Sequence, residues 1–400
     1  MLENKILKQV QNDTCTGCGA CLNSCPKNAI TMHGDEYGFY KPVIDNEKCV
    51  NCGLCEKVCP IDKFNSTNEN APKVFALQIN DEGQLYKSAS GGAFAVIAKE
   101  VISQGGVVYG VIYDDEMKVC HSRTETIDGL EKMYSSKYVQ SNTKTTFKQA
   151  KEDLENKKTV LFSGTPCQIA GLKSYLRKDY ENLLTVDLVC HGVPSPKIFE
   201  IYKKEFMQKR PKDEWLLNID FRSKIQSWSN EVVEINTASN IYAIQANNDN
   251  FMKAFLSDLS TNSACHNCQF NNLPRVADLS LGDFWGVDDY DKTLNNNKGL
   301  SIVLMNNQKG RKWFEKIKDN CMTKDVPLDM VVKCNPNIKG SSKPHKKRLE
   351  FFEDINSGKT LKSCVKKYCK TPLHIAIYRF LPQFAKNFIK YKILKMERKF

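Results

Sequence analysis

The 400 residues are 41% hydrophobic and 26% charged, proportions of a folded globular chain that exclude collagen-like, disordered and membrane-embedded classes. Two numbers depart from the ordinary: 17 cysteines and a formal net charge of +12. The last sixty residues hold 16 Lys/Arg against 4 Asp/Glu, so the whole net charge lies in 341–400 and residues 1–340 sum to zero.

The cysteine count is odd and the start Met1-Leu-Glu-Asn-Lys has no apolar export stretch. A reducing, cytoplasmic location is therefore expected, where clustered cysteines favour metal over disulfides. No run of 18 apolar residues occurs. The most apolar stretch, 373–394, is broken by Arg379, Pro382 and Lys386, so it cannot span a bilayer.

In chain order the first elements are two cysteine runs. Cys15, Cys18, Cys21 and Cys25-Pro26 read C-x2-C-x2-C-x3-C-P, and Cys49, Cys52, Cys55 and Cys59-Pro60 repeat it 34 residues later. Three thiolates on a tight Gly-containing loop cap three corners of a 4Fe–4S cube, and in such paired runs the fourth cysteine ligates the other cluster. One cluster then takes Cys15, Cys18, Cys21 and Cys59; the other takes Cys49, Cys52, Cys55 and Cys25. Structural zinc is the alternative, but its tetrahedral sites come from separated C-x2-C pairs. Residues 10–62 thus resemble a bacterial-type ferredoxin with two 4Fe–4S clusters, a module that passes single electrons and does no substrate chemistry of its own.

After a polar linker (63–73), residues 74–79 read as a strand. Ser90-Gly91-Gly92 leads into an apolar helix over 93–102, stopped by Gly105-Gly106, and 107–113 is a second strand. Residues 159–163 form a strand followed by a turn, with a helix at 169–176, and 183–190 is a further buried strand. This alternation predicts a mixed α/β domain. Free amides at a helix start suit a phosphate, so Ser90-Gly-Gly is a candidate anion site; a capped helix behind a glycine turn fits equally. No G-x-G-x-x-G follows a strand, and a Rossmann nicotinamide site is not supported.

Of the remaining cysteines, Cys167, Cys190, Cys265 and Cys268 stand in turn-like contexts at strand ends. Four thiolates would make a third cube. The spacing equally allows two small buried residues and a lone Cys265/Cys268 pair. Cys120, Cys321, Cys334, Cys364 and Cys369 are expected to bind nothing.

Five segments carry a more specific likeness: Ser90-Gly-Gly-Ala-Phe, Tyr134-Ser-Ser-Lys-Tyr-Val-Gln-Ser, Phe162-Ser-Gly-Thr-Pro-Cys-Gln-Ile-Ala-Gly-Leu, Asp187-Leu-Val-Cys-His-Gly-Val-Pro-Ser-Pro and Leu281-Gly-Asp-Phe-Trp-Gly-Val. In this order, from about residue 10 to 315, the chain resembles the beta subunit family of coenzyme F420 hydrogenases and dehydrogenases. The resemblance implies an iron–sulfur flavoprotein in which FAD, held in an α/β domain, exchanges a hydride with a deazaflavin or related acceptor. It also implies a third 4Fe–4S cluster at Cys167, Cys190, Cys265 and Cys268.

Carried over by motif, the expected flavin contacts are Ser90, Gly91, Gly92, Ser136, Lys137, Tyr138, Gln140, Ser163, Gly164 and Thr165. Lys137 would hold a phosphate or an anionic reduced flavin, unless it is a solvated surface lysine. His191, beside Cys190, would supply a proton or a hydrogen bond to a cluster sulfur, unless it is structural. Asp283 reads as a turn residue or a site residue, and Phe284 and Trp285 as flavin walls or packing. A flavin takes two electrons and the clusters one each, so an oxidoreductase converting between the two is expected. The rival is an electron-transfer subunit serving a separate catalytic partner. Ferredoxin-fused relatives are associated with surface polysaccharide synthesis, which makes a sugar or lipid-linked intermediate another candidate substrate.

The expected fold class is α/β: an α+β ferredoxin module (1–62), the linker, a mixed-sheet α/β flavoprotein domain in two parts (74–210 and 211–340), and a helical basic tail (341–400). The partners are a redox protein or small electron acceptor. In the tail, Ile389, Ile393, Met396 and Phe400 share one helical face among lysines, a pattern suited either to an anionic membrane surface or to docking on the body. The second candidate location is accordingly the inner face of the membrane. Nucleic acid is not expected from a basic tail without a binding fold. Each oxidised cube with its thiolates carries roughly −2, so the nominally neutral body becomes acidic when loaded.

Overall fold

A computed structural model describes residues 5–61 and 63–369. The first two strands, β1 (Ile30–Gly34) and β2 (Tyr40–Ile44), form the antiparallel hairpin of the cysteine-rich module, with Ile30 opposite Ile44. The apolar runs that follow become an eight-stranded sheet. Its members are β3 (Lys73–Ile79), β4 (Val107–Tyr113), β5 (Val119–Thr124), β6 (Val160–Gly164), β7 (Leu183–Leu188), β11 (Leu279–Asp283), β12 (Ser301–Met305) and β13 (Cys321–Asp325), in the order β13-β3-β12-β11-β7-β6-β4-β5. β8 (Leu216–Ser223), β9 (Val232–Thr237) and β10 (Ile241–Gln245) make a separate antiparallel sheet.

The middle of the large sheet, β4-β6-β7-β11, is parallel, and both flanks are antiparallel. Parallel strands need cover on both faces, which is why β6 begins with three fully buried residues, Val160, Leu161 and Phe162. Helices Ala93–Ser103 and Gln308–Ile317 cover one face through Ile97, Val101, Phe314 and Ile317. Helices Thr146–Glu155 and Pro166–Leu176 cover the other through Phe147, Leu154, Ile169 and Leu172. The mixed α/β class is the observed one.

Two boundaries differ from the sequence reading, and the linker is not free. The helix expected at 169–176 begins at Pro166, because proline at the first helical position is preorganised and Gln168 Oε1 accepts from both the Thr165 amide and hydroxyl at 3.0 Å. The strand expected to reach residue 190 stops at Leu188, leaving Cys190 in the turn beyond the sheet. The linker is tied to the body: Asn68 Nδ2 donates to the carbonyls of Arg275 (2.8 Å) and Ala277 (2.7 Å), and Phe64 meets Phe270 edge-on.

The first part of the basic tail is packed on the body. Helices Arg348–Asn356 and Leu361–Tyr368 pack on the second core with Phe351, Phe352, Leu361 and Val365 buried beside Phe199 and Phe251. Apolar residues hidden among the lysines of this stretch decide that. The amphipathic pattern ending at Phe400, and with it the membrane-surface expectation, lies outside the described residues. Among the described residues no helix is long and apolar enough to cross a membrane.

Candidate iron–sulfur and flavin site

Each cysteine run turns through a left-handed glycine, Gly19 (φ 84°) and Gly53 (φ 68°), which starts the short helices Ala20–Ser24 and Leu54–Lys57. The turns direct three thiols of a run toward one side. Cys15, Cys18, Cys21 and Cys59 line a single cavity together with Met32, Pro42, Pro60 and Ile61. The second run's last cysteine has therefore joined the first run's first three. Burial pushes the thiols of Cys15, Cys18 and Cys21 up, and for Cys21 the neighbouring Cys15 and Cys59 add repulsion. Crowded thiols of this kind become stable thiolates only against a cationic centre. At the module's outer end Cys25 and Cys55 pack on the same small cluster around Ile30, and Cys52 is exposed. Among the described residues no three His, Cys, Asp or Glu side chains converge on a single ion; the thiols of the first set ring a space instead. Four thiols suit a cube, and the paired eight-cysteine spacing favours it over zinc.

Cys167, Cys190, Cys265 and Cys268 are separated in sequence but share a second location. Cys167 opens helix Pro166–Leu176, Cys190 follows β7, and Cys265 and Cys268 flank the end of the short 3-10 turn Ser263–Asn267. Burial raises the Cys190 thiol most, and then its neighbours Cys265, Cys167 and Cys268 raise it further. Cys167 is pushed up to about 11 and Cys265 to about 12, both mainly by burial. The two thiol sets adjoin: Cys18 is repelled by Cys167, and a Cβ on Gly171 would stand 2.8 Å from Cys18 Sγ. The missing side chain at Gly171 lets the helix that carries Cys167 lie against the ferredoxin loop.

A cavity of about 430 Å³ opens beside this second thiol set. Its wall contains Ser90, Gly92, Ala93, Ser136, Lys137, Tyr138, Ser163, Gly164, Thr165, Cys190 and His191, so most residues named from sequence are brought together. Val111, Met133, Phe255 and Leu281 supply the apolar surface. Two positions are not brought in. Gly91 is buried, its amide donating to Ser301 Oγ at 2.9 Å. Gln140 serves the module interface: its Oε1 accepts from the Tyr40 amide (2.7 Å) and its Nε2 donates to the Thr16 carbonyl (3.1 Å).

Lys137 is no solvated surface lysine. Its Nζ donates to the carbonyls of Lys132 (2.9 Å) and Tyr134 (2.6 Å), and burial lowers its pKa to about 8. His191 Nε2 lies 3.0 Å from Asp258 Oδ1, with the ring edge-on to Phe255. Thr165 Oγ1 is 3.2 Å from Cys167 Sγ, so the cavity wall and the thiol set share a residue. Asp283 lines the cavity at the end of β11 beside Trp285, whereas Phe284 is fully buried in the core.

Four features escaped the sequence reading. Arg222 lines the cavity with a 4% exposed side chain, bonded to Asp283. Lys224 donates to the carbonyls of Leu85 and Ser90, both at 2.6 Å, and burial lowers its pKa to about 7. Buried His121 braces two wall residues through Ser141 Oγ (2.7 Å) and the Ser163 carbonyl (3.0 Å). Segment 334–337 closes one side. Charges in and just after the end of β8, at Phe221-Arg-Ser-Lys, were the available signal for the first two; a buried charge without a role is rare.

Comparison with known proteins places these parts. Residues 157–329 match the family described as the C terminus of the coenzyme F420 hydrogenase/dehydrogenase beta subunit, and residues 14–63 match the 4Fe-4S dicluster domain. The first match contains all four cysteines of the second thiol set. It is narrower than the resemblance over 10–315 and does not reach Ser90 or Lys137. A chain of the F420-reducing [NiFe] hydrogenase complex from Methanosarcina barkeri is similar at 15% identity and a TM-score of 0.43, over 76% of this chain and 95% of that one. No curated protein matches. The chain thus carries a 4Fe-4S dicluster domain at residues 14–63, followed at 157–329 by a segment similar to the C terminus of the coenzyme F420 hydrogenase/dehydrogenase beta subunit.

Proposed function

We propose that the protein is an iron–sulfur flavoprotein oxidoreductase, with FAD in the 430 Å³ cavity and a third 4Fe–4S cluster on Cys167, Cys190, Cys265 and Cys268. One observation carries the reading: Cys190, a member of the second thiol set, is itself part of the wall of a cavity that also exposes the start of an 11-residue helix. When bound, a flavin supplies interchange between hydride and single-electron transfer.

The chain's residues have separable tasks. The first amides of helix Ala93–Ser103 have no intrahelical acceptor and point their dipole at the cavity, which suits a pyrophosphate. Ser90 is not available for that, since its hydroxyl donates to the Leu300 carbonyl (2.9 Å); it shapes the turn. Lys137 holds a positive charge at the wall, and an anionic occupant would favour its protonated form. Arg222 supplies a second fixed cation. Cys15, Cys18, Cys21 and Cys59 hold one ferredoxin cluster, and Cys49, Cys52, Cys55 and Cys25 the other. His191 orients toward Asp258 beside Cys190, where it can hold or move a proton at Nε2.

The substrate is a two-electron acceptor small enough to meet the cavity mouth, coenzyme F420 or another ring compound. Anaerobic purification should yield a brown protein with releasable FAD and acid-labile sulfide. In an acceptor screen including F420, the isolated chain reduced beforehand with dithionite should regain its oxidised flavin spectrum as the acceptor is reduced. Clusters without flavin, and no acceptor reduced unless a second protein is added, would favour the electron-transfer subunit instead.

A further inference from the structure

Two buried arginines are bonded to segments next to the second thiol set, Arg275 to Leu188 and Arg348 to Thr261, and each is incompletely paired. Arg275 is fully buried. Its Nη2 donates to Asp187 Oδ1 (2.9 Å) and the Leu188 carbonyl (2.8 Å), and its Nε to Ser280 Oγ (3.1 Å). Its Nη1 has no hydrogen-bond partner among the described residues. Arg348 is 6% exposed. Its Nε donates to the Thr261 carbonyl at 2.9 Å, and its Nη2 likewise has no partner among the described residues. The Arg348 guanidinium lies over Phe352 (4.8 Å) and over Tyr37 of the ferredoxin module (5.4 Å).

A buried N–H without an acceptor is costly, and native folds keep few. Two such donors beside one group of four thiols point to an acceptor that belongs there. The electrostatics agree. Burial raises the Cys268 thiol, and the Arg275 charge is among the influences drawing it back. Burial lowers the Arg348 pKa, and Cys265 is among the groups that oppose it. The neighbourhood is built from the C-terminal segment as well: the Cys268 amide donates to Ser341 Oγ at 3.0 Å.

We propose that Arg275 and Arg348 direct their unpaired N–H groups to the sulfurs of the third cluster and raise its reduction potential, making segment 341–348 a built part of the redox site. The proposal rests on the third-cluster reading. Reduction adds an electron to an already anionic group. Burial opposes that, while fixed cations and N–H donors favour it. Asp187 offsets part of the Arg275 charge, whereas Arg348 has no ion-pair partner among the described residues. Arg348 is therefore the sharper test.

Redox titration of the intact protein, followed by EPR, should show three cluster signals, and Cys265→Ser should remove one of them. In Arg348→Gln that same signal should fall in potential by about 59 mV or more, a tenfold shift of its one-electron equilibrium, with the two ferredoxin signals unmoved. R348K, which keeps the charge, should recover most of the shift, and R275Q should repeat it. A third signal at unchanged potential in R348Q and R275Q would overturn the role of the arginines while leaving the cluster in place. Only two signals in the unmodified protein, both indifferent to Cys265→Ser, would overturn the cluster reading itself.

Discussion

Arg222 and Asp283 face each other across two sheets as a bidentate pair, Nη1 to Oδ2 at 2.9 Å and Nη2 to Oδ1 at 3.2 Å. Arg222 comes from β8 of the small sheet and Asp283 from the end of β11 in the large one. The pair thus joins the two layers at the cavity, and Trp228 Nε1 adds a third bond to Asp283 Oδ1 at 3.1 Å. Trp285 stacks parallel on Trp228 at 5.2 Å, with the guanidinium 5.1 Å from its ring centre.

Removing one partner strands the other. In Asp283→Ala the buried guanidinium keeps only Glu231, at 3.4 Å, as a carboxylate neighbour. Breaking a buried pair from one side costs about 3–5 kcal/mol, and Glu231 should hold this variant to the lower end. Urea unfolding of the cluster-loaded protein measures it. The double variant R222M/D283L should recover part of the loss, because the buried guanidinium is gone, while half-buried Glu231 and Trp228 Nε1 lose their partners.

The exchange of fourth cysteines makes a crossed prediction. Cys59→Ser should abolish the cluster of the first run, and Cys25→Ser that of the second. Each variant should lose one cluster's worth of iron and sulfide, with different EPR signals surviving. Loss of the signal belonging to the mutated cysteine's own run would contradict the shared cavity of Cys15, Cys18, Cys21 and Cys59.

How much of this the sequence disclosed depends on distance along the chain. The paired runs were readable because a cube imposes its spacing on neighbouring residues. The strands β4 and β6 were readable because both faces are buried and the segments are almost wholly apolar. Gln140 was misplaced because its motif lies beside Tyr138, which does reach the cavity. A single residue's turn between them sends the next polar side chain to Thr16 and Tyr40, more than ninety residues earlier. Arg275 was missed for a related reason: what distinguishes it is its partner Asp187, and that pairing leaves no local pattern.

His121 gives the pH dependence. Its Nε2 faces the Ser163 carbonyl and so must donate, which makes Nδ1 the acceptor for the Ser141 hydroxyl. Burial lowers its pKa to about 4 from an ordinary 6.5. Between those values the unfolded chain binds a proton that the folded one refuses, so stability rises with pH across this window and falls on acidification. The full effect is about 3 kcal/mol. His121→Gln should flatten the stability profile between pH 4 and 6.5, measured by denaturant unfolding at several pH values. A variant that retains the acid-side slope would assign it to other groups.

Gln140→Leu tests whether the ferredoxin module is held in register with the body. The substitution leaves the Tyr40 amide and Thr16 carbonyl without their partner, at about 1–3 kcal/mol for buried groups. Other contacts remain, among them Asn23 Nδ2 to the Lys144 carbonyl at 3.0 Å. The module should therefore stay attached but loosen locally, since Thr16 stands directly between Cys15 and Gly17. Hydrogen exchange should accelerate at Thr16 and Tyr40, and magnetic coupling between the clusters proposed at Cys18 and Cys167 should weaken, with the content of the proposed flavin unchanged. Loss of flavin with normal cluster coupling would instead return Gln140 to the cavity wall, where its motif first suggested it.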